Sequence, residues 1–382
     1  MHVLLVTPFI PPKIGGIERH SENLVRELLA SGSIKVTLLT SGIESGSAPW
    51  VKDLKNLQVV ELYSFTLFSR FPIPMPTYEN IRKLRQLSAG TFDGLIVQSH
   101  LFLISTLSAW LFRKVKIRIW INHGSNFVIV NPLLSQIEKY FELLQIKIMG
   151  TYMNSFIAVS SESTNWISEK SNLFFETINN GIPNNLIKTR STFPHEPNTY
   201  NFLFVGRLIK GKGGIEAIRI FQELYQSRPK GSLYKLSIIG GGPELHRMRT
   251  LAKSLDLPVV FFGATEHKDV IFQMQKSEVL LFPSTYPEGL STVILEAMAN
   301  GLLVASSALP GLSQFLQEGA CIYGEVDELA EFIRHTMTNT GQCLAFIRRA
   351  ELLIRKDYTS ESMAKAIMER IDFGLNSHKD MF

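Results

Sequence analysis

Cysteine is almost missing from this chain of 382 residues: only Cys321 and Cys343 occur, and neither lies in the spacing of a metal or redox site. That excludes a disulfide scaffold and points to a reducing compartment. Long apolar runs are also missing. The longest candidate, Leu101 to Phe112, ends at Arg113-Lys114 and is too short to cross a bilayer. The N-terminus lacks a basic leader region, and its apolar stretch Val3 to Val6 runs into Pro8. No secretory signal is therefore expected, and the chain should be made and kept in the cytoplasm. No Gly-x-Gly-x-x-Gly triplet is present, which disfavours a nicotinamide enzyme. Charged residues make up 19% of the chain and apolar ones 45%, the balance of a globular protein with ample core, and the length predicts two domains.

Charge is unevenly spread. Residues 1–190 hold 19 Lys and Arg against 13 Asp and Glu, whereas residues 191–382 hold 20 against 21. Clusters fall at Arg82-Lys83-Arg85 and at Arg113-Lys114-Lys116-Arg118, the second beside Trp110, Phe112 and Trp120. Basic residues mixed with aromatics suit attachment to an anionic membrane surface. The plainer reading is a solvated helix face followed by a strand, because 116–121 alternates with period two. No nucleic-acid-binding motif accompanies the charge, so a nucleic-acid partner is not expected.

The first half opens on an apolar strand, Val3 to Val6, a loop with Gly15-Gly16, a helix from about Ile17 to Ala30 and a strand from Lys35 to Thr40, a βαβ unit. Further short apolar strands are expected at 59–63, 94–98, 117–121 and 156–159, in one doubly wound sheet. Between Asn184 and Tyr200 the composition turns polar, with Pro194 and Pro197, and reads as a linker. The second half restarts the pattern: a strand at 201–205, Gly206-Arg207-Leu208, a Gly-rich loop at 210–214 and a helix from Ile215 to about Tyr225. Strands at 235–239 and 259–262 follow, separated by Gly240-Gly241-Gly242-Pro243 and a helix through Leu255.

The most informative run is 287–301, where Glu288 and Glu296 bracket what reads as the start of a helix, after a buried strand at 279–283. The first carboxylate then lies beyond a strand's carboxyl end, where open α/β sheets bind ligands. Helical throughout, eight residues would part the two Cα atoms by about 12 Å, too far to flank one glycosidic bond as hydrolases require. The two carboxylates should instead accept hydrogen bonds from different hydroxyls of one extended ligand. Backbone N–H groups of Gly289, Leu290, Ser291 and Thr292 would lie near a helix N-terminus, which favours phosphate. The alternative is a helix with Glu288 near its N-terminus and a solvated Glu296.

Arg207 and Lys212 form the next polar pair, in a loop made pliable by Gly211, Gly213 and Gly214. A guanidinium fork and an ammonium point charge together suit a diphosphate. At Gly15 and Gly16 missing side chains would let backbone N–H groups approach a phosphate or an acceptor; a plain turn before a helix is the alternative. His123, in Asn122-His123-Gly124, and His100 each follow a strand. His100 is either an acceptor-side group or a satisfied buried imidazole.

The segment 282–301 resembles the signature of glycosyltransferase family 4, and matches to that family recur in order along nearly the whole chain. The resemblance implies an α/β fold of two Rossmann-like domains facing across a cleft, the type B glycosyltransferase fold. Domains are expected at 1–185 on the acceptor side, 198–358 for the nucleotide sugar, and 359–382 as a helix returning to the first domain. It further implies that Glu296 binds the nucleotide ribose and Glu288 the transferred sugar, that Arg207 and Lys212 hold the donor diphosphate in place of a metal, and that His123 lies beside the sugar. Gly15 and Gly16 fall on the donor side of this scheme. Asn179-Asn180-Gly181 matches the end of the first domain, as a turn and hinge support.

The activity implied is retaining transfer of a hexose or hexosamine from a nucleoside diphosphate sugar to an acceptor hydroxyl, without a cofactor. Its implied setting is bacterial surface polysaccharide, lipopolysaccharide or glycolipid synthesis, with a glycan or lipid-linked acceptor and the enzyme peripheral at the inner membrane face. A nucleotide-sugar epimerase of the same fold and a non-catalytic subunit of a glycan assembly complex are the alternatives. Two departures, Gly301-Leu302-Leu303 for Gly-x-Pro and Gly311-Leu312-Ser313 before an uncharged Gln314, leave the donor core intact and put sugar specificity in doubt.

Overall fold

The computed structural model describes residues 1–11, 15–42, 49–52, 54–67, 71–124, 132–285, 290–307 and 309–376, which divide into two compact units. Unit 1 comprises 1–181 and 360–382, and unit 2 comprises 182–359.

Unit 1 contains β1 (His2–Thr7), α1 (Gly16–Ala30), β2 (Lys35–Gly42), α2 (Pro49–Lys52), β3 (Leu57–Leu67), β4 (Phe71–Pro74), α3 (Tyr78–Ser88), β5 (Gly94–Gln98), α4 (Leu103–Leu111), β6 (Ile117–Asn122), α5 (Pro132–Tyr152), β7 (Ser155–Ala158), α6 (Ser161–Ser171) and β8 (Glu176–Thr177). The strands lie in the order β4-β3-β2-β1-β5-β6-β7-β8, parallel except for β4. Strands such as β1 and β5 are apolar on both faces because helices cover both faces. Val3, Leu5, Ile96 and Ile119 pack with Leu24, Val25 and Leu28 of α1, while Leu4, Val6, Leu95, Val97 and Trp120 form a second layer with Ile104 of α4, Ile146 and Met149 of α5 and Ile167 of α6. Helix starts obey capping chemistry: Thr77 accepts from Asn80 N at 3.2 Å, and Ser160 from Ser163 N at 3.2 Å.

Unit 2 contains β9 (Thr199–Val205), α7 (Gly214–Gln226), β10 (Leu233–Ile239), α8 (Leu245–Ser254), β11 (Val259–Gly263), α9 (His267–Gln275), β12 (Val279–Phe282), α10 (Thr292–Ala299), β13 (Leu303–Ser307), α11 (Ser313–Gln317), β14 (Ile322–Gly324), α12 (Leu329–Met337) and α13 (Thr340–Asp357). Its sheet runs β11-β10-β9-β12-β13-β14, all parallel. Leu203, Leu280 and Phe282 pack on α10 and α13, and Phe202, Phe204 and Leu281 on α7 and α12. Finally α14 (Ser360–Asn376) returns to unit 1, where Ile367 and Ile371 are fully buried among α1 and sheet residues.

The polar stretch 184–200 does not behave as a free linker. Ile182 and Ile187 are buried in one core layer of unit 2 and Phe193 in the other, while Lys188 N donates to Ala299 O at 2.7 Å. Polar composition there marks a surface run anchored by two apolar side chains, Ile187 and Phe193, and the division between units falls at 181/182 rather than across this stretch.

The two basic clusters take the plainer form. Lys83 of α3 pairs with Glu79 one turn away at 3.0 Å. Arg118 donates from its guanidinium to Tyr152 O at 2.6 Å, satisfying carbonyls at the amino edge of the sheet. Cys321 and Cys343 are buried free thiols, and burial pushes both up to about 12.

Candidate active site

In each sheet the strand order reverses once, and crevices at such reversals are where open α/β sheets hold ligands. In unit 2 the reversal lies between β9 and β12. The loop after β9 is pinned at both ends: Gly206 N donates to Ile239 O at 3.0 Å and Leu208 N to Gly241 O at 2.9 Å. Arg207 therefore projects from a fixed backbone into solvent. Further on, Gly211 O accepts from Thr285 N at 2.9 Å and from Ser284 Oγ at 3.3 Å, tying the Lys212 loop to the end of β12. Lys212 is half-buried, and Gly213 beside it has φ +85° as α7 begins.

Gly213 has no alternative residue. A Cβ there would lie 2.3 Å from the backbone carbonyl oxygen of Pro283. Gly213→Ala is expected to combine a left-handed cost of about 1–2 kcal/mol with this clash. The expected result is a fall of several degrees in Tm together with loss of nucleotide binding by calorimetry. Unchanged binding would show that this loop does not shape the site.

The sequence pattern starts a helix near Glu288; α10 begins at Thr292, so Glu288 precedes it and a helical spacing between the two glutamates does not apply. Glu288 and Gly289 themselves lie outside the described residues. Leu290 is buried in the core, and Ser291 caps α10 through its carbonyl, which accepts from Ile294 N at 3.1 Å, while its side chain makes no capping hydrogen bond. The backbone N–H groups of Ser291, Thr292 and Val293 thus stand at the positive end of α10. Glu296, about 6 Å further along the helix, is only 7% exposed, so the solvated alternative is incorrect. Its Oε1 accepts from His267 Nε2 at 2.7 Å. The imidazole hydrogen bond thus engages one of the two carboxylate oxygens and fixes the orientation of the group. His267 carries no signal in the sequence, where it is a lone histidine 29 residues from its partner.

In unit 1 the reversal lies between β1 and β5. Here α1 brings His20, β5 ends on Gln98, and His123 follows β6. Gln98 Nε2 donates to His20 Nδ1 at 3.0 Å, and Gln98 Oε1 accepts from His123 Nε2. The two imidazoles meet edge to face at 4.7 Å. Burial lowers His20 to about 4, and burial followed by the proximity of His20 holds His123 well below the usual histidine range. Both rings are neutral at pH 7. His100 is fully enclosed but only half satisfied: its Nδ1 donates to Asn122 Oδ1 at 3.1 Å, whereas its buried Nε2 has no hydrogen-bond partner among the described residues and lies 3.6 Å from Glu142 Oε1.

Gly15 is the extended residue before α1, and Glu18 folds back so that a Cβ on Gly15 would lie 2.2 Å from Glu18 Oε2. The Glu18 carboxylate therefore lies directly against the Gly15 backbone. Asn180 N donates to Val159 O at 3.3 Å, and Asn23 Nδ2 to Gly181 O at 3.0 Å, so this segment is a buttressed turn at the end of unit 1.

Two Rossmann-like units, each with polar side chains gathered at its strand reversal, define the type B glycosyltransferase fold. A family model described as Glycosyl transferases group 1 matches residues 187–353, and one described as Glycosyltransferase Family 4 matches residues 14–185. The chain belongs to this family of glycosyltransferases. An uncharacterized glycosyltransferase of Haemophilus influenzae is 26% identical over 359 residues, covering 91% of this chain and 94% of that protein. Among solved structures, sucrose-phosphate synthase from Thermosynechococcus elongatus aligns with a TM-score of 0.74 at 16% identity, covering 98% of this chain and 99% of that one. Anabaena Alr3699/HepE in complex with UDP and glucose aligns with a TM-score of 0.69 at 16% identity, covering 97% and 99%.

Proposed function

We propose that this glycosyltransferase transfers a hexose or hexosamine, with retention, from a nucleoside diphosphate sugar to an acceptor hydroxyl. The observation that carries this reading is the ordering of unit 2 around its strand reversal: a clamped cationic loop at Lys212, Arg207 on its fixed base, and the buried, oriented carboxylate of Glu296. Cations suit a diphosphate, and an acceptor-only carboxylate suits the hydroxyls of a pentose. That Alr3699/HepE holds UDP and glucose makes a UDP-sugar the first donor to test.

In the step proposed, the bond from the anomeric carbon to the β-phosphate oxygen breaks and the acceptor oxygen bonds to that carbon from the same face. The acceptor proton passes to the departing phosphate, giving glycoside and nucleoside diphosphate. Arg207 and Lys212 stabilise the charge growing on the diphosphate, which is greater in the transition state than in the ground state. Glu296 holds the pentose, and His123 is assigned to the sugar by family resemblance alone. Glu288 and the loop at Gly15 and Gly16 are assigned to the sugar by family resemblance. A thermal-shift screen across UDP-, GDP- and ADP-sugars tests this reading. One nucleotide class should raise Tm; no shift with any of them would overturn it.

We assign the acceptor to a lipid-linked glycan at an anionic membrane surface, in surface polysaccharide or glycolipid synthesis. Support comes from α5, which turns Glu142, Ile146 and Met149 inward and leaves Tyr140, Phe141, Leu143 and Leu144 exposed at 69%, 57%, 51% and 42%. Lys139 and Lys147 are exposed on the same helix. Apolar side chains flanked by lysines favour an anionic bilayer over a neutral one. Among the described residues no helix is long and apolar enough to span a membrane, so any attachment through α5 would be interfacial. The double variant Phe141→Asp, Leu144→Asp is expected to weaken co-sedimentation with phosphatidylglycerol vesicles by roughly tenfold or more. Equal sedimentation of the variant, or equal binding to purely neutral vesicles, would reject the assignment.

A further inference from the structure

A carboxamide has one donating end and one accepting end, so an amide held between two imidazoles dictates where each ring keeps its proton. Gln98 is in that position. It is fully buried, its backbone is paired in β5 opposite Ile121 of β6, and its carbonyl accepts from Ser105 Oγ at 3.0 Å. With Oε1 accepting from His123 Nε2, His123 carries its proton on Nε2. With Nε2 donating to His20 Nδ1 at 3.0 Å, His20 likewise carries its proton on Nε2. His20 is itself buried on the inner face of α1, edge to face with His123.

We propose that Gln98, backed by His20, is a positioning residue that locks His123 into a single neutral tautomer, with the proton on Nε2 and Nδ1 kept as a hydrogen-bond acceptor for a substrate hydroxyl. The substrate part of this statement rests on the function proposed above, whereas the tautomer does not. His123 thus reads a hydroxyl as a donor and does not supply a proton. The low proton affinity of both rings agrees: a proton on His20 Nδ1 would face the donating end of the Gln98 amide, and a charged His123 would lie against the second imidazole. His20 is the titratable group that depresses His123; the nearby charges Glu142 and Lys170 face His100 instead, at 3.6 Å from Glu142 Oε1 to His100 Nε2 and 3.0 Å between Glu142 Oε2 and Lys170 Nζ.

Two measurements decide it. The first is the imidazole ¹⁵N–¹H correlation spectrum of the intact protein at pH 7, with the His123 signals assigned by their loss in His123→Asn. A protonated Nε2 and bare Nδ1 are expected; the opposite tautomer, an exchanging mixture, or a cationic ring would overturn the proposal whether or not any sugar is transferred. The second is the pH profile of Gln98→Glu. A carboxylate only accepts, so it draws protons onto both rings, and kcat/KM should become pH-dependent, falling by roughly tenfold per pH unit below the raised value. The unaltered enzyme should stay level across the same range. Matching profiles would also overturn the proposal. If the unaltered protein consumes no nucleotide sugar, the functional reading fails and the spectrum alone decides the tautomer.

Discussion

Replacing Lys212 with alanine is expected to lower kcat/KM for sugar transfer by roughly 10²–10³-fold and to leave Tm nearly unchanged. The magnitude follows from where the charge develops. As the glycosidic bond to the diphosphate breaks, negative charge moves onto the β-phosphate, and a fixed ammonium stabilises that charge more than it stabilises the intact donor. The fold is spared because the loop is held by its backbone: Lys212 N donates to Ile209 O at 3.2 Å, and Gly211 O is anchored by Thr285 N at 2.9 Å. The side chain is half-buried and removal of its ammonium leaves these bonds in place. Calorimetry separates the contact from a general loss of binding. A nucleoside diphosphate should bind more weakly to Lys212→Ala, and the corresponding monophosphate should bind as before. Unchanged turnover in this variant would remove the diphosphate from the cationic loop and with it the proposed mechanism.

Residues whose role depends on a strand end are legible in the sequence itself. Arg207, Lys212 and His123 each follow a short apolar run closed by a turn signal, so their place at the carboxyl edge of a parallel sheet follows from local pattern. Glu296 is legible as a carboxylate on a helix, yet its burial is not, because that depends on His267 arriving from α9. His20 and Gln98 are invisible for the same reason: 78 residues separate them, and nothing local distinguishes an amide held between two imidazoles from a polar strand end. Short edge elements such as β4, β8 and β14 carry too few residues to show a period. The 184–200 stretch misleads because proline and polar residues outnumber the anchors Ile187 and Phe193, while burial depends on the anchors alone.

Acidification is expected to unfold unit 1 before unit 2, through histidines that must stay neutral to remain buried. His20 is lowered to about 4 and His123 well below the usual range, and His100 is lowered as well, in each case chiefly by burial. Between about pH 6.5 and pH 4 the unfolded chain binds protons at these positions that the folded chain refuses, so stability is fully present above the unfolded value and is lost as pH falls toward the folded one. For His20 alone the loss by pH 4 is on the order of 3 kcal/mol. The raised carboxyls Glu27 and Glu61, both partly desolvated, take up protons in the folded state and offset part of this loss. Trp50, Trp110, Trp120 and Trp166 all belong to unit 1, so tryptophan fluorescence reports this unit selectively. The fluorescence-detected Tm should fall steadily from pH 7 to pH 4.5. In His20→Leu the slope with pH should shrink by the equivalent of one proton, even though removing the partner of Gln98 lowers Tm at every pH. A fluorescence transition that stays put across that range would mean that the buried imidazoles are already charged in the folded protein, and the neutral pair at the β1/β5 reversal would then have to be abandoned.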